Sequence, residues 1–194
     1  MPDGALPEEL DMASLLAFLL LMSYGIHGST TVNHGDNTDM LSLLDFKAAT
    51  NDPTGVLRSW NRSVRHCDWT GVICSSPISG RVVALRIPGQ SLSGEITPSL
   101  GNLTFLQVIS LRYNGFSGQL PPLNQLQELR VLDLESNSLQ GIIPDSIMNC
   151  SKLRVLHLSR NRLEGVIPSS INNATKLRQL DLRENELGGN IAES

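Results

Sequence analysis

The chain has 194 residues, with 15 Lys+Arg against 19 Asp+Glu and a formal charge of -4. That length suits one domain, or one domain with a leader, and the mild acidity argues against nucleic-acid binding, which needs clustered Lys and Arg to meet phosphates. Apolar residues make up 40% of the chain but aromatics only 4%, so leucine, at about one residue in six, must fill the core as many similar small layers.

Leu15 to Met22 reads Leu-Leu-Ala-Phe-Leu-Leu-Leu-Met. This apolar run is shorter than the ~20 residues a bilayer span needs. It fits the apolar segment of a secretory signal over 1–28, with small residues behind it (Ser23, Gly25, Gly28, Ser29) and cleavage expected between 25 and 31. The segment ahead of the run is acidic where such signals are basic: it carries Asp3, Glu8, Glu9 and Asp11, and the first lysine is Lys47. A start at Met12 would set Met-Ala-Ser directly before the apolar run and remove the whole net charge; mapping the 5′ end of the transcript tests it. A buried N-terminal helix is the alternative reading. Residues 29–38 read as a linker.

Residues 39–81 read as a cap. Thr38 or Asp39 can cap a helix N-terminus, Met40, Leu43, Leu44 and Phe46 supply its apolar face, and Asn51-Asp52-Pro53 ends it. With Trp60 and Trp69 this face would cover the open end of whatever follows. Cys67 and Cys74 flank six residues, and in a secreted chain such a pair reads as a local disulfide. The alternative, half of a zinc site with the neighbouring His66, lacks further ligands at suitable spacing. Asn61, Asn102, Asn149 and Asn173 each open an Asn-x-Ser/Thr acceptor sequence for N-glycosylation, a second signal for secretion. Cys150 reads as a packed small side chain.

From Val82 the chain repeats itself. Segments beginning at Val82, Leu106, Leu129, Leu153 and Leu177 share apolar residues at their first, fourth and sixth positions. Eight residues after each start comes Gln90, then Asn114, Asn137, Asn161 and Asn185. Two further on lies Leu92, Phe116, Leu139, Leu163 or Leu187, followed two later by Gly94, Gly118, Gly141, Gly165 or Gly189. Ile143-Pro144 and Ile167-Pro168 complete two of the units. The units are 82–105, 106–128, 129–152, 153–176 and 177–194, the last incomplete, and the second is short by a residue near Leu120-Pro121-Pro122. This is the leucine-rich-repeat pattern. A short strand turns alternate leucines inward, and no unit can bury its leucines without a neighbour. The Asn amide can serve backbone groups left unpaired where the chain turns. The fold class is an α/β solenoid.

These residues resemble the extracellular region of plant leucine-rich-repeat receptor-like kinases and receptor-like proteins. The resemblance rests on the Leu-x-Gly-x-Ile-Pro half of the unit and on Pro98 to Phe105. It rests equally on the stretches 39–47, 52–55, 59–61 and 67–74, which look like that family's N-terminal cap. It implies a right-handed superhelix with parallel strands on the concave face and a helical, disulfide-bonded N-terminal cap. It also implies recognition of a peptide or protein ligand, including another receptor of the same kind, at or near the cell surface. The family continues into a membrane span and a kinase domain; neither is present here, so the resemblance carries no kinase activity. A stand-alone secreted scaffold, or an inhibitor of an extracellular enzyme, is the alternative.

The candidate ligand face is the set of outward strand positions. We take Arg112, Tyr113, Asp133, Glu135, His157, Arg160, Asp181 and Arg183 as its residues. Asp133, His157 and Asp181 should be strand neighbours, and carboxylates beside His157 favour its charged form. Five strands span roughly 19 Å, room for about six residues of extended peptide. That is less than the ~800 Å² per partner of a standard interface, so weak or cooperative association is expected. Asn102, Asn149 and Asn173 share a phase on the convex side, which would leave the concave face clear. No phosphate loop, metal-ligand set or nucleophile triad is recognisable, so no enzyme activity and no cofactor is expected. The last coil is expected to expose Leu177, Leu180, Leu182 and Leu187 and to be prone to association.

Overall fold

The computed structural model describes residues 34–76 and 80–188. The expected signal peptide, the start of the linker and the last residues of the fifth unit lie outside them.

Helix α1 (His34–Ala48) opens the described chain, followed by β1 (Thr50–Asn51), two 3₁₀ turns at Val56–Ser59 and His66–Asp68, and β2 (Val72–Cys74). The coils then supply β3 (Val82–Arg86), β4 (Ser93–Glu95), β5 (Val108–Ser110), β6 (Gly115–Gln119), β7 (Val131–Asp133) and β8 (Ser138–Gly141). After α2 (Asp145–Met148) come β9 (Val155–His157), β10 (Arg162–Gly165), β11 (Gln179–Asp181) and β12 (Glu186–Leu187). Two six-stranded sheets result. The concave one runs β11-β9-β7-β5-β3-β2 and the other β1-β4-β6-β8-β10-β12. Repeat strands pair in parallel, while the cap strands β1 and β2 add to the first coil antiparallel.

Register stacks like on like. Leu85, Ile109, Leu132 and Leu156 are mutual strand partners, and none is more than 1% exposed. Burying each such side chain stabilises the coil by about 1.5–3 kcal/mol. Burial falls off in the fifth coil: Leu180, next in the same file, is 43% exposed, and Leu177, Leu182 and Leu187 are half-buried.

The Asn ladder is explicit. Asn161 Oδ1 accepts the Leu139 N–H (3.0 Å), while its Nδ2 donates to the carbonyls of Leu134 and Leu158 (3.0 Å each). Asn114, Asn137 and Asn185 repeat the arrangement in their own coils. Gln90, a methylene longer, stands outside it and folds back to the Pro88 carbonyl (3.1 Å).

The cap differs from expectation in one respect. The helix begins at His34, so Asp39 lies inside it rather than at its start. The fully buried Asp39 carboxylate reaches instead to the first coil, accepting from the Val82 N–H (2.8 Å) and from Arg81 Nε (3.0 Å) and Nη2 (3.1 Å). It thereby satisfies the leading N–H of β3 across more than forty residues of chain. Trp60 stacks on Trp69 (centroids 5.4 Å), and Phe46 meets both Trp60 (6.2 Å) and Phe116 (5.6 Å). The cap aromatics therefore continue the leucine files. Where the helix gives way to the turn at Val56–Ser59, burial pushes the Asp52 carboxyl up. The N–H groups of Leu57 and Val56, with the Thr54 hydroxyl, outweigh this and hold it below its ordinary value.

The missing residue of the second unit has a structural counterpart. The first, third and fourth coils cross their convex side through a helical turn (98–102, 145–148, 169–173), whereas the second crosses 120–127 by turns and extended chain. Pro121 and Pro122 have no N–H to donate to a helical turn.

Candidate functional site

Alternation along each concave strand brings positions three, five and seven of the unit to one face. The fifth-position column is Arg86, Ser110, Asp133, His157 and Asp181, each a strand partner of the next. Asp133 and Asp181 thus flank His157. Neither carboxylate is turned to its ring, because each meets an arginine. Asp133 lies 3.8 Å from Arg112 Nε and accepts from Ser110 Oγ at 3.3 Å. Asp181 accepts from Arg183 through Nε (2.9 Å) and Nη2 (2.7 Å), and this two-pronged contact holds its carboxyl well below the usual carboxylate range. One column over, Arg160 bridges Glu135 (3.8 Å) and Glu184 (3.2 Å). Six of the eight candidate residues are therefore ion-paired. Of the remaining two, Tyr113 is 47% exposed with the Arg112 guanidinium 5.5 Å from its ring, and His157 makes no side-chain hydrogen bond among the described residues.

Exposed pairs of this kind contribute only about 0–1 kcal/mol each. What they produce is a face on which charges of both signs alternate.

Glu184 completes the bridge on Arg160 from the equivalent position of the next unit, so the repeat itself sets the two side by side. Periodicity also marks a column that the candidate set omits. The third-position column, Ala84, Val108, Val131, Val155 and Gln179, lies two residues before the fifth, and counting back by two would have found it. Its valines are half-buried and give the charged face an apolar border.

The eighth-position column is special in backbone. Gly89, Tyr113, Ser136, Arg160 and Glu184 all adopt left-handed φ, between 53° and 63°. Each stands immediately before the Gln or Asn of its unit, at the bend that aims the amide inward.

Away from this face, Cys67 and Cys74 are joined (S–S 2.02 Å). Neither sulfur is then a thiolate, so the cluster they form with His66 offers one ligand only. His66 is buried, with Nε2 2.6 Å from the Gly80 carbonyl oxygen. Cys150 is buried too, and burial pushes its thiol up to about 11. Asn61, Asn102, Asn149 and Asn173 are all exposed. No helix among the described residues is long and apolar enough to cross a membrane.

Comparison with known proteins agrees with this architecture. The leucine rich repeat N-terminal domain model matches residues 36–75, and a leucine rich repeat model matches 127–187. The leucine-rich repeat receptor-like protein kinase PXC2 of Arabidopsis thaliana is 39% identical over 132 residues, covering 67% of this chain and 13% of that protein. The chain thus spans about 13% of the length of the first curated relatives it matches. In the solved BIR3–SERK2 complex of Arabidopsis thaliana, the matching chain is 38% identical with a TM-score of 0.73, over 78% of this chain and 84% of that one. The ectodomain of the Arabidopsis receptor kinase HAESA, solved with an IDA peptide hormone ligand, is 28% identical with a TM-score of 0.57, over 79% and 30%. With its disulfide-bonded cap, its Asn ladder and these matches, the chain belongs to the plant leucine-rich-repeat receptor-like kinase and receptor-like protein family.

Proposed function

We propose that this chain is an extracellular recognition module that takes a peptide or protein ligand on its concave sheet. Arg112, Tyr113, Asp133, Glu135, His157, Arg160, Asp181 and Arg183 are the contacting residues. The observation that carries this reading is the patterned face itself: paired charges of both signs across successive coils, edged by half-buried valines. The similar HAESA ectodomain, solved with a peptide hormone ligand, and the similar chain of the BIR3–SERK2 complex support it. Four exposed glycosylation sequons and the Cys67–Cys74 disulfide support an extracellular site. Because the face is narrow and its charges are already paired, a ligand must exchange with existing ion pairs. This favours selectivity over strength and a second receptor ectodomain that completes the interface.

The test is selection of ligands from a peptide library and from a panel of plant receptor ectodomains against the secreted chain. Binding is then measured for the wild type and for a double variant, Arg160→Glu with His157→Ala. Loss of binding by about tenfold or more, near 1.4 kcal/mol, is expected. Undiminished binding by the double variant refutes the assignment of the face.

A further inference from the structure

On the convex side, α1 packs beside the 3₁₀ turn Pro98–Asn102, and between them lies an open cleft of about 520 Å³, within the ~300–1,000 Å³ that small-ligand sites span. Leu41, 44% exposed, and the half-buried Leu44 give it an apolar wall. Asp45 and Arg62 are exposed at its edge, and neither side chain has a hydrogen bond or ion pair among the described residues. Thr38, Ser42 and Ser99 complete the lining with Asn102 itself, the acceptor of an Asn-Leu-Thr sequon; the Ser99 hydroxyl is taken up by Thr97 Oγ1 (2.7 Å) and the Ser42 carbonyl (3.4 Å). Asn149 and Asn173 occupy the same phase of their units, but α1 flanks the first coil and this cleft includes neither.

We propose that the cleft is the seat of the glycan carried on Asn102, whose innermost N-acetylglucosamine residues lie against α1. The match is chemical. Such a sugar has an apolar face, for Leu41 and Leu44, and an acetamide and hydroxyls that both donate and accept, for Asp45 and Arg62. The tether makes the contact intramolecular, at an effective concentration of about millimolar or more, so that even weak complementarity fills the cleft. The glycan then acts as a wedge between cap and first coil, while those on Asn149 and Asn173 stand free. The proposal rests on occupancy of the Asn102 sequon.

The test uses the full chain secreted with high-mannose glycans. Peptide mapping first reads occupancy at Asn102, Asn149 and Asn173. The native protein is then exposed to a glycan-releasing amidase, and release is followed at each site. Release at Asn102 is expected to be about tenfold slower or more than at the other two. The variants Leu41→Asp and Asp45→Ala with Arg62→Ala, all at exposed positions, should raise it to their rate. Equal release at the three sites in the wild type, or slow release at Asn102 that both variants leave unchanged, overturns the seat. An unmodified Asn102 overturns the sequon reading as well, and the peptide map distinguishes that outcome from the other two.

Discussion

Replacing Asn161 with alanine isolates what one rung of the ladder contributes. Asn161 is 8% exposed, and its amide joins three segments. The Leu139 N–H donates to Oδ1 at 3.0 Å, and Nδ2 donates to Leu134 and Leu158 at 3.0 Å each. In Asn161→Ala the two carbonyls keep a partner each, because Asn137 also donates to Leu134 and Asn185 to Leu158. The Leu139 N–H is left buried and unpaired, a loss of about 1–3 kcal/mol, and the lost donations add about 1 kcal/mol. The expected total is about 2–4 kcal/mol, and 3 kcal/mol lowers the melting temperature by about 6–12 °C in a domain of this size. Thermal unfolding followed by circular dichroism reads it. Gln90→Ala is the matched control, since Gln90 holds the same position in the first coil but its amide reaches only Pro88; it should cost less than about 0.5 kcal/mol. Asn161→Asp keeps the acceptor yet turns a carboxylate toward two carbonyls, and should be at least as damaging as alanine. If Asn161→Ala and Gln90→Ala unfold at the same temperature, the ladder is not a source of stability and the reasoning fails.

Gly94 has φ 110°, and a Cβ there would overlap the Ala49 carbonyl oxygen. Gly94→Ala should therefore separate β1 from β4 and cost about 1–3 kcal/mol, read by faster amide exchange at Thr50 and Asn51; unchanged exchange counts against it. Cys67→Ser with Cys74→Ser opens a loop with sequence separation 7 and should cost about 2.5 kcal/mol by loop entropy, measured by urea unfolding. The Cys150 thiol, raised to about 11, should stay inert to disulfide reagents at pH 8 until the chain unfolds; rapid labelling of the native protein would disprove its burial. Asp52, Glu128 and Asp181 all sit below their ordinary values, with Lys152 beside Glu128 and Arg183 on Asp181 as causes in the last two. Depressed carboxylates contribute stability that is complete above about pH 4–5 and lost as pH falls through the folded values. The urea midpoint should accordingly be level from pH 7 to 5 and fall below about 4; a decline already between 7 and 5 would implicate other groups.

What the sequence showed and what it hid divide along physical lines. The leucine files and the Asn ladder were legible because spacing within one unit places each residue, and stacking then repeats the placement. The start of α1 was not. Thr38 and Asp39 have the chemistry of a helix cap, and only the distant Arg81 and Val82 reveal that the Asp39 carboxylate is claimed elsewhere. The lost residue near Pro121 was visible, but not its outcome, a coil without a helical turn. On the concave face the neighbours of His157 follow from register alone. That Asp133 and Asp181 turn instead to Arg112 and Arg183 depends on rotamers, to which periodicity is blind.

The left-handed column at Tyr113, Ser136, Arg160 and Glu184 also restricts how this face can change. At φ near 55° a β-branched side chain is a genuine outlier, so valine, isoleucine and threonine are strained there whatever a ligand would prefer. The fifth and seventh positions lie under no such filter. New specificity can therefore be written with a full alphabet in two columns and a reduced one in the third. A library that randomises all three alike will lose many of its members to misfolding before any ligand is offered.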